Sequence, residues 1–435
     1  MTDLKETAKR IFLETLRTIE PGPVIEQALQ VNGDTLSVGG KHIDLGGVDE
    51  VVVIGMGKAS LKMGAAVEGL LGDRLSRGIL VADRRSSIRV RSEVIVAGHP
   101  LPDANSLSAG ERIVELVRSC GDNALIIFLI SGGGSSLVEL PQSASISIED
   151  LRALNKVLIG CGASIREINI VRKSLSQIKG GRLGRLAGNS KCVGLYLSDV
   201  NPGDIRSIAS NPLLPEDLAP DDLVDVVNKF KLIEKLPASV VSVIREDTLD
   251  CADEWKQGSQ MPVAVVLLDN SNAVRAAVEL ARQYGFQVEV DEDLIEGAYE
   301  TVADRSVDHL INLKSLFPDE HVCVISGGEV SCSVRGNGIG GRNQEFVLYC
   351  ATQMAGSGIQ AAVLSCGTDG IDGNSSAAGA VADAEMVIGA ARRGEDPSVF
   401  ISNNDSNSFF KKSGGLVVTG PTGNNVRDIR ILMAQ

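Results

Sequence analysis

Three glycines flanked by serines, Ser131, Gly132, Gly133, Gly134, Ser135 and Ser136, follow the apolar run 124–130 without a break. Successive backbone amides at a strand end can form a concave anion nest, and the first turn of a following helix adds a favourable dipole. A tight turn needing positive φ would account for one glycine. Three in a row exceed that need, and the chemistry they suit is phosphate binding. Lys58, in "IGMGKAS", stands two residues past another apolar run, at an expected helix start. The stretch is not a Walker A loop, because the G-x-x-x-x-G-K-[ST] spacing fails at Val52 and Ala59 replaces the Ser/Thr. It half-matches the dinucleotide fingerprint through Gly55 and Gly57, with Ser60 at the third small position. Asp83 then stands where a ribose-binding acid would sit, so a nicotinamide-dependent reductase competes.

A second glycine-rich stretch, "GNGIGGRNQEF", delivers Arg342 followed by Asn343, Gln344 and Glu345 as a helix is expected to begin. An Arg fork held there could bind a carboxylate bidentately or neutralise a transferring phosphoryl group. Acids follow several apolar runs: Asp199, Glu329, Asp369 and Asp372. Hard carboxylate oxygens near a phosphate loop suit Mg2+, although each Asp alone is also an ordinary turn former. Four histidines leave few imidazole acids; His309 and His321 read as structural. His99, in "GHPLPDANS", stands in a loop fixed by two prolines and could wall a site. Between positions 166 and 185, Arg166, Arg172, Lys173, Lys179, Arg182 and Arg185 meet only Glu167. This basic spot is either a solvated helix face or part of an anion site.

Those residues need strands to carry them. Short β-branched runs recur at 51–60, 78–83, 125–136, 192–204, 263–273, 322–331, 362–373 and 415–425, nearly all ending in Gly, Ser, Asp or Asn. Helix-like stretches lie between several of them, at 61–71, 109–119, 151–161, 273–284 and 297–313. Alternating buried strands and helices imply a mostly parallel sheet covered on both faces, with ligands beyond the carboxyl ends of the strands. "ISGGGSSLVEL" and "ISGGEVSCSVRG" are two similar strand-to-loop turns, one in each half, and suggest two polar loops facing one cleft.

At 435 residues the chain exceeds one comfortable core, so two domains are expected. The division falls between about 211 and 260, where "PLLPEDLAPDDL" gives way to a helical stretch and then "CADEWKQGSQMP". A formal charge of −14 and 3% aromatics argue against a nucleic-acid surface. No apolar run approaches the roughly 20 residues of a membrane helix. Leu4, Ala8, Ile11, Phe12, Thr15, Leu16 and Ile19 follow helical spacing with charges between them, unlike a signal peptide. Eight scattered cysteines make no C-x-x-C pair and fit a reducing, cytoplasmic setting.

At these residues the chain resembles the glycerate kinases whose C-terminal part is the MOFRL domain, members of which also carry the label hydroxypyruvate reductase. The resemblance rests on "VVVIGMGKAS", "GHPLPDANSL", "FLISGGGSSLVELP", "NIVRKSLSQIKGGRLGRL", "LSDVNPGDIRSIASNP", "VISGGEVSCSVRGNGIGGRNQEF", "GTDGIDG", "AAGAVAD" and "TGPTGNN", in order along nearly the whole chain. It implies two three-layer α/β/α domains, residues 1–250 with the phosphate loop and 251–435 of MOFRL type, with sheets mostly parallel or mixed and an interdomain active-site cleft. It also implies ATP-dependent, Mg2+-assisted phosphorylation of D-glycerate to 2-phospho-D-glycerate, with NAD(P)H-dependent hydroxypyruvate reduction as the alternative. On that reading Lys58 and Arg342 are catalytic, residues 131–136 with Lys179 hold ATP phosphates, and His99, Arg172, Asn343 and Glu345 meet the substrate. Asp199 and Asp369 take the metal, and no residue stands out as the base. Neither nucleic acid nor membrane is expected as a partner, and a homodimer is an open option. The chain departs from the pattern at "NSSAAGA" (374–380), where Pro-Thr-Asp is expected before the paired alanines, which removes an acid near Asp372. Asn424 replaces an expected Thr in "TGPTGNN".

Overall fold

The computed structural model describes residues 3–216, 220–245, 260–292 and 296–435. Two compact units divide the chain, one made of residues 21–267 and the other of residues 1–20 with 268–435. Part of the stretch expected to hold the division, residues 217–219 and 246–259 with Cys251, lies outside the described residues. The first twenty residues, expected with the N-terminal domain, belong to the C-terminal unit. Their helix Leu4–Thr18 packs there on the helix Asn270–Gln283 and the strands Ala361–Gly367 and Asp428–Ala434. The helical spacing explains this, since Leu4, Ala8, Ile11 and Phe12 form one buried stripe.

The unit of residues 21–267 is built on a six-stranded sheet. Its spatial order is Glu93–Val96, Leu75–Ala82, Glu50–Met56, Ala124–Ile130, Lys191–Leu197 and Val263–Leu268. Numbered along the chain the order is 3-2-1-4-5-6, and the first four pairings across the sheet are parallel. All seven residues of Ala124–Ile130 are buried, as a central strand covered on both faces requires. Val52, Ile54, Ile126 and Phe128 meet Ile113 and Val117 of the helix Ala104–Arg118 on one face, while the helix Ser60–Leu71 packs on the other. A separate cluster joins the helices Ile148–Gly160, Ile165–Ser174, Pro220–Lys229 and Ala238–Arg245 through Leu151, Leu158, Val171, Val226 and Val240.

The other unit has a mixed six-stranded sheet ordered Gln287–Val290, Val322–Ser326, Asp428–Ala434, Ala361–Gly367, Gly379–Asp383 and Leu416–Val417. Only the first pairing is parallel; the last strand of the chain runs opposite to both its neighbours, and Gly379–Asp383 opposite to both of its own. The helices Tyr299–Leu316 and Arg342–Met354 share a core with Val322, Val324, Val363 and Leu432. The alternate residues Cys323, Ile325, Leu364 and Ile431 are equally buried and, by the period of two, face the layer of Leu4–Thr18 and Asn270–Gln283. Among the described residues, no helix is long and apolar enough to cross a membrane.

Candidate active site

In an open α/β sheet the ligand crevice lies where the strand order reverses. Here that point separates Glu50–Met56 from Ala124–Ile130, and both strands run straight into their glycine-rich turns. The two turns are hydrogen-bonded to each other. Lys58 N donates to Gly132 O at 2.9 Å, Ser131 N to Met56 O at 3.1 Å, and Ala59 N to the Ser131 hydroxyl at 3.1 Å. Gly57 N donates to Val81 O and Ser60 N to Gly57 O. The amides a dinucleotide pyrophosphate would use in "GMGKAS" are therefore spent inside the fold, which removes the physical basis of the half-matched fingerprint. Asp83 faces its neighbour Arg84, whose Nη2 lies 2.6 Å from it.

The Ser131–Ser136 loop divides its labour. Ser131 is buried and its hydroxyl is the clamp on Ala59; Gly134 N donates to Ser131 O, and Ser136 N to Gly133 O. The amides of Gly132, Gly133 and Ser135 have no hydrogen-bond partner among the described residues. Gly133 adopts φ 87°, a left-handed conformation that turns successive amides to one side. A Cβ there would lie 3.0 Å from His99 Cδ2 and 3.4 Å from Lys58 Cγ, while a Cβ on Gly132 would collide with the Asp199 carboxylate. Lys58, His99, Asp199 and the three amides, named from separate motifs, thus gather at one point.

Two further residues at this loop lie in stretches that carry the resemblance but were given no role of their own. The Ser135 hydroxyl lies 2.7 Å from that of Ser210, which donates to Asn169 Oδ1 at 3.0 Å. Ala209, Ser210 and Asn211 take φ of 49°, 57° and 52° in succession. Left-handed backbone at non-glycine residues costs about 1–2 kcal/mol each and persists where the surroundings impose it, often at functional sites. The signal was hidden because "IASNP" contains no glycine.

The basic spot is mostly structural. Lys179 is buried in an ion pair with Glu139, with burial lowering its pKa and Glu139 opposing the shift. It has no exposed charge to offer a phosphate, which corrects that assignment. Lys173 reaches both Glu216 oxygens at 2.7 Å, and Arg182 donates to Lys173 O and Lys179 O. Arg172, half-buried, is anchored through Nε to Asn155 Oδ1 at 2.9 Å.

In the other unit, Arg342 opens the helix Arg342–Met354 and lines a cavity of about 550 Å³ with Gly338, Gly340, Gly341, Glu345 and Asn374. Asp428 grips its guanidinium at Nε (2.6 Å) and Nη2 (2.9 Å), and Glu329 lies 3.0 Å from Nη2. Nη1 has no hydrogen-bond partner among the described residues. Burial opposes the charge, but Asp428 and then Glu329 hold the pKa above its ordinary value. Asp428 was not anticipated, although "RDIRILMA" places charges two apart in an apolar run, as a buried strand with one polar face would.

Asp372 caps this helix from a distance, accepting Asn343 N at 3.1 Å and Gln344 N at 2.9 Å. Burial pushes its pKa up to about 6 against those donors. Asn343 is a strut and not a substrate contact: it is 1% exposed, accepts from the Ser365 hydroxyl and donates to Asp372. Glu345 is equally hidden, yet neither of its carboxylate oxygens makes a hydrogen bond. Asp369 Oδ1 accepts from Ile371 N at 3.1 Å, closing its own turn. It lies in a different unit from Asp199, and no cluster of three or more His, Cys, Asp or Glu suits a metal among the described residues.

Residues 7–245 match a family described as a domain of unknown function (DUF4147), and residues 322–428 match the MOFRL family. The D-glycerate 2-kinase of Thermotoga maritima is 37% identical over 390 residues, covering 88% of this chain and 90% of that one. The chain belongs to the glycerate kinase family with a C-terminal MOFRL domain. A crystal structure of a glycerate kinase from Thermotoga maritima superposes with a TM-score of 0.84 at 32% identity, covering 99% of each chain. Within the family names differ: an Agrobacterium vitis relative, 37% identical over 88% of this chain and 98% of its own, is provisionally named a hydroxypyruvate reductase. The first family match spans Lys58, His99, the amide nest and Asp199, and the second spans Arg342, Glu345 and Asp428.

Proposed function

We propose that this chain phosphorylates D-glycerate at its C2 hydroxyl, with ATP as donor and Mg2+ as the accompanying cation. The observation that carries the reading is the trio of unspent amides, Gly132, Gly133 and Ser135, at the switch point beside Lys58. Phosphoryl transfer asks for positioning and charge neutralisation more than for covalent chemistry. The amides supply oriented donors for the ATP phosphates, and Lys58 supplies positive charge beside them. Arg342, fixed by Asp428 and with Nη1 in reserve, supplies a fork for the glycerate carboxylate.

Asp199 beside Gly132 fits Mg2+, which takes one or two carboxylates and completes its shell with phosphate oxygens and water. Held there, Mg2+ would offset the charge of the phosphates. The C2 hydroxyl is favoured by the relatives named glycerate 2-kinase; with the carboxylate gripped by Arg342, it would lie one bond nearer the anchor than the C3 hydroxyl, and a misplacement of about 1 Å can cost a hundredfold in rate. The described cysteines are free thiols, which suits a cytoplasmic setting.

The test is ADP release from ATP, Mg2+ and D-glycerate, with enolase present and phosphoglycerate mutase absent. Phosphoenolpyruvate should form directly. Its formation only after mutase is added would move the transfer to C3. NAD(P)H oxidation by hydroxypyruvate without any ATP-dependent activity would overturn the kinase reading altogether.

A further inference from the structure

Glu345 stands one helical turn from Arg342, on the same face of Arg342–Met354, and both line the same cavity. Its two predecessors in the chain are engaged elsewhere, while the nearby Ser406 hydroxyl is buried and likewise without a hydrogen-bond partner. Asn343 bonds Ser365 and Asp372, while Gln344 bonds Asp372, Ser375 and Asn407. Glu345 is 1% exposed and neither carboxylate oxygen has a partner. Buried polar atoms are nearly always paired, and an unpaired carboxylate costs stability. The fold therefore carries a desolvated acid whose carboxylate makes no hydrogen bond of full geometry, on the wall of a cavity that also holds a fixed cation.

We propose that Glu345 is the general base of the transfer, accepting the proton of the glycerate hydroxyl while Arg342 holds the substrate carboxylate. The inference rests on the kinase reading given above. In the step, the hydroxyl O–H bond breaks and its proton passes to a Glu345 oxygen. The hydroxyl oxygen forms the new bond to the γ-phosphorus of ATP, and the bond from that phosphorus to the β,γ-bridging oxygen breaks with its electron pair leaving on ADP. After product release the proton passes from Glu345 to water.

The groups facing Glu345 suit this task. Burial, then Asp372 and Asp405, push its pKa up to about 7; Ser406 moderates the shift from nearby without a hydrogen bond of full geometry. Tyr299 and Cys332 also feel its charge, each with its own pKa raised chiefly by burial. A base whose pKa lies near the working pH combines a large deprotonated fraction with useful proton affinity.

The experiment is the pH profile of kcat/KM between pH 5.5 and 9 for the wild type, Glu345→Gln and Glu345→Asp, with glycerate binding by calorimetry and thermal melting on each. The wild type should lose activity on the acid side with an apparent pKa near 7. Glu345→Gln should lose about 100- to 10,000-fold in kcat, lose the acid limb, melt no lower than the wild type, and keep most of its glycerate affinity. Glu345→Asp should recover part of both rate and limb. A wild-type profile flat from pH 6 to 8, or a folded Gln variant within tenfold of wild type and with the acid limb intact, would overturn the base assignment alone. Absence of ATP-dependent turnover in the wild type would overturn the kinase reading and the base with it.

Discussion

The guanidinium of Arg342 meets the carboxylate of Asp428 in a two-point fork, Nε to Oδ2 at 2.6 Å and Nη2 to Oδ1 at 2.9 Å, with the Asp428 side chain fully buried. Asp428 is itself fixed at both ends of its backbone, its N donating to Gly328 O and its carbonyl accepting from Asn270 Nδ2. Arg342 is therefore a positioned charge and not a surface one. Arg342→Ala should lower kcat/KM roughly a hundred- to thousandfold, as loss of one transition-state charge stabiliser does. It should also cost about 2 kcal/mol of stability by leaving Asp428 unpaired. Arg342→Lys should recover little activity, because an ammonium cannot reproduce the fork. Adding Asp428→Ala to Arg342→Ala should restore melting but not turnover; a double variant as unstable as the single one would show that the pair is not what holds this corner.

Lys58 is tested by the same truncation. Its backbone amide holds Gly132 O, and that bond survives truncation of the side chain. Lys58→Ala should therefore reduce turnover about a hundred- to thousandfold while urea unfolding still shows one folded, cooperative state. Near-normal kcat/KM would remove Lys58 from the transfer.

Gly133→Val tests the nest without touching a charge. At φ 87° a branched residue is strained, and its Cβ would press on His99 Cδ2 at 3.0 Å. ATP affinity by calorimetry should fall more than stability does. Unaltered affinity would reduce the stretch to a tight turn.

Lys179→Met should destabilise the chain by about 3–5 kcal/mol, because Glu139 would remain buried without its cation. Pairing it with Glu139→Leu should recover most of the loss. ATP affinity should be near wild type in the recovered double variant. Affinity lost there despite native melting would return Lys179 to the phosphate site.

What could be read from sequence follows from locality. The strands ending at Met56 and Ile130 were legible because apolar runs and glycine turns are contiguous in the chain. The topology then brought Lys58, His99, Gly133 and Asp199 together. Lys179 could not be told from a ligand-binding lysine, since the acid that consumes it lies 40 residues away. The strand Asp428–Ala434 escaped notice because no turn or glycine marks its end. With it went the partner of Arg342 and the reversal that makes the second sheet mixed.

The last prediction concerns stability against pH and follows from Glu345. Its folded pKa is raised from 4.5 to about 7, chiefly by burial. Between those values the folded chain binds more protons than the unfolded one, so stability falls as pH rises through the window. Asp372, raised to about 6, slopes the same way over a narrower range. At pH 8 the ionised Glu345 should cost the wild type on the order of 2–3 kcal/mol relative to a neutral group. Glu345→Gln removes that cost, so it should be more stable than wild type at pH 8, nearly equal to it at pH 4.5, and flatter in between. Urea unfolding at several pH values reads the slope directly. A Gln variant less stable than wild type at pH 8 would mean that the carboxylate is satisfied in the folded chain and that no strain is held at this position for catalysis to use.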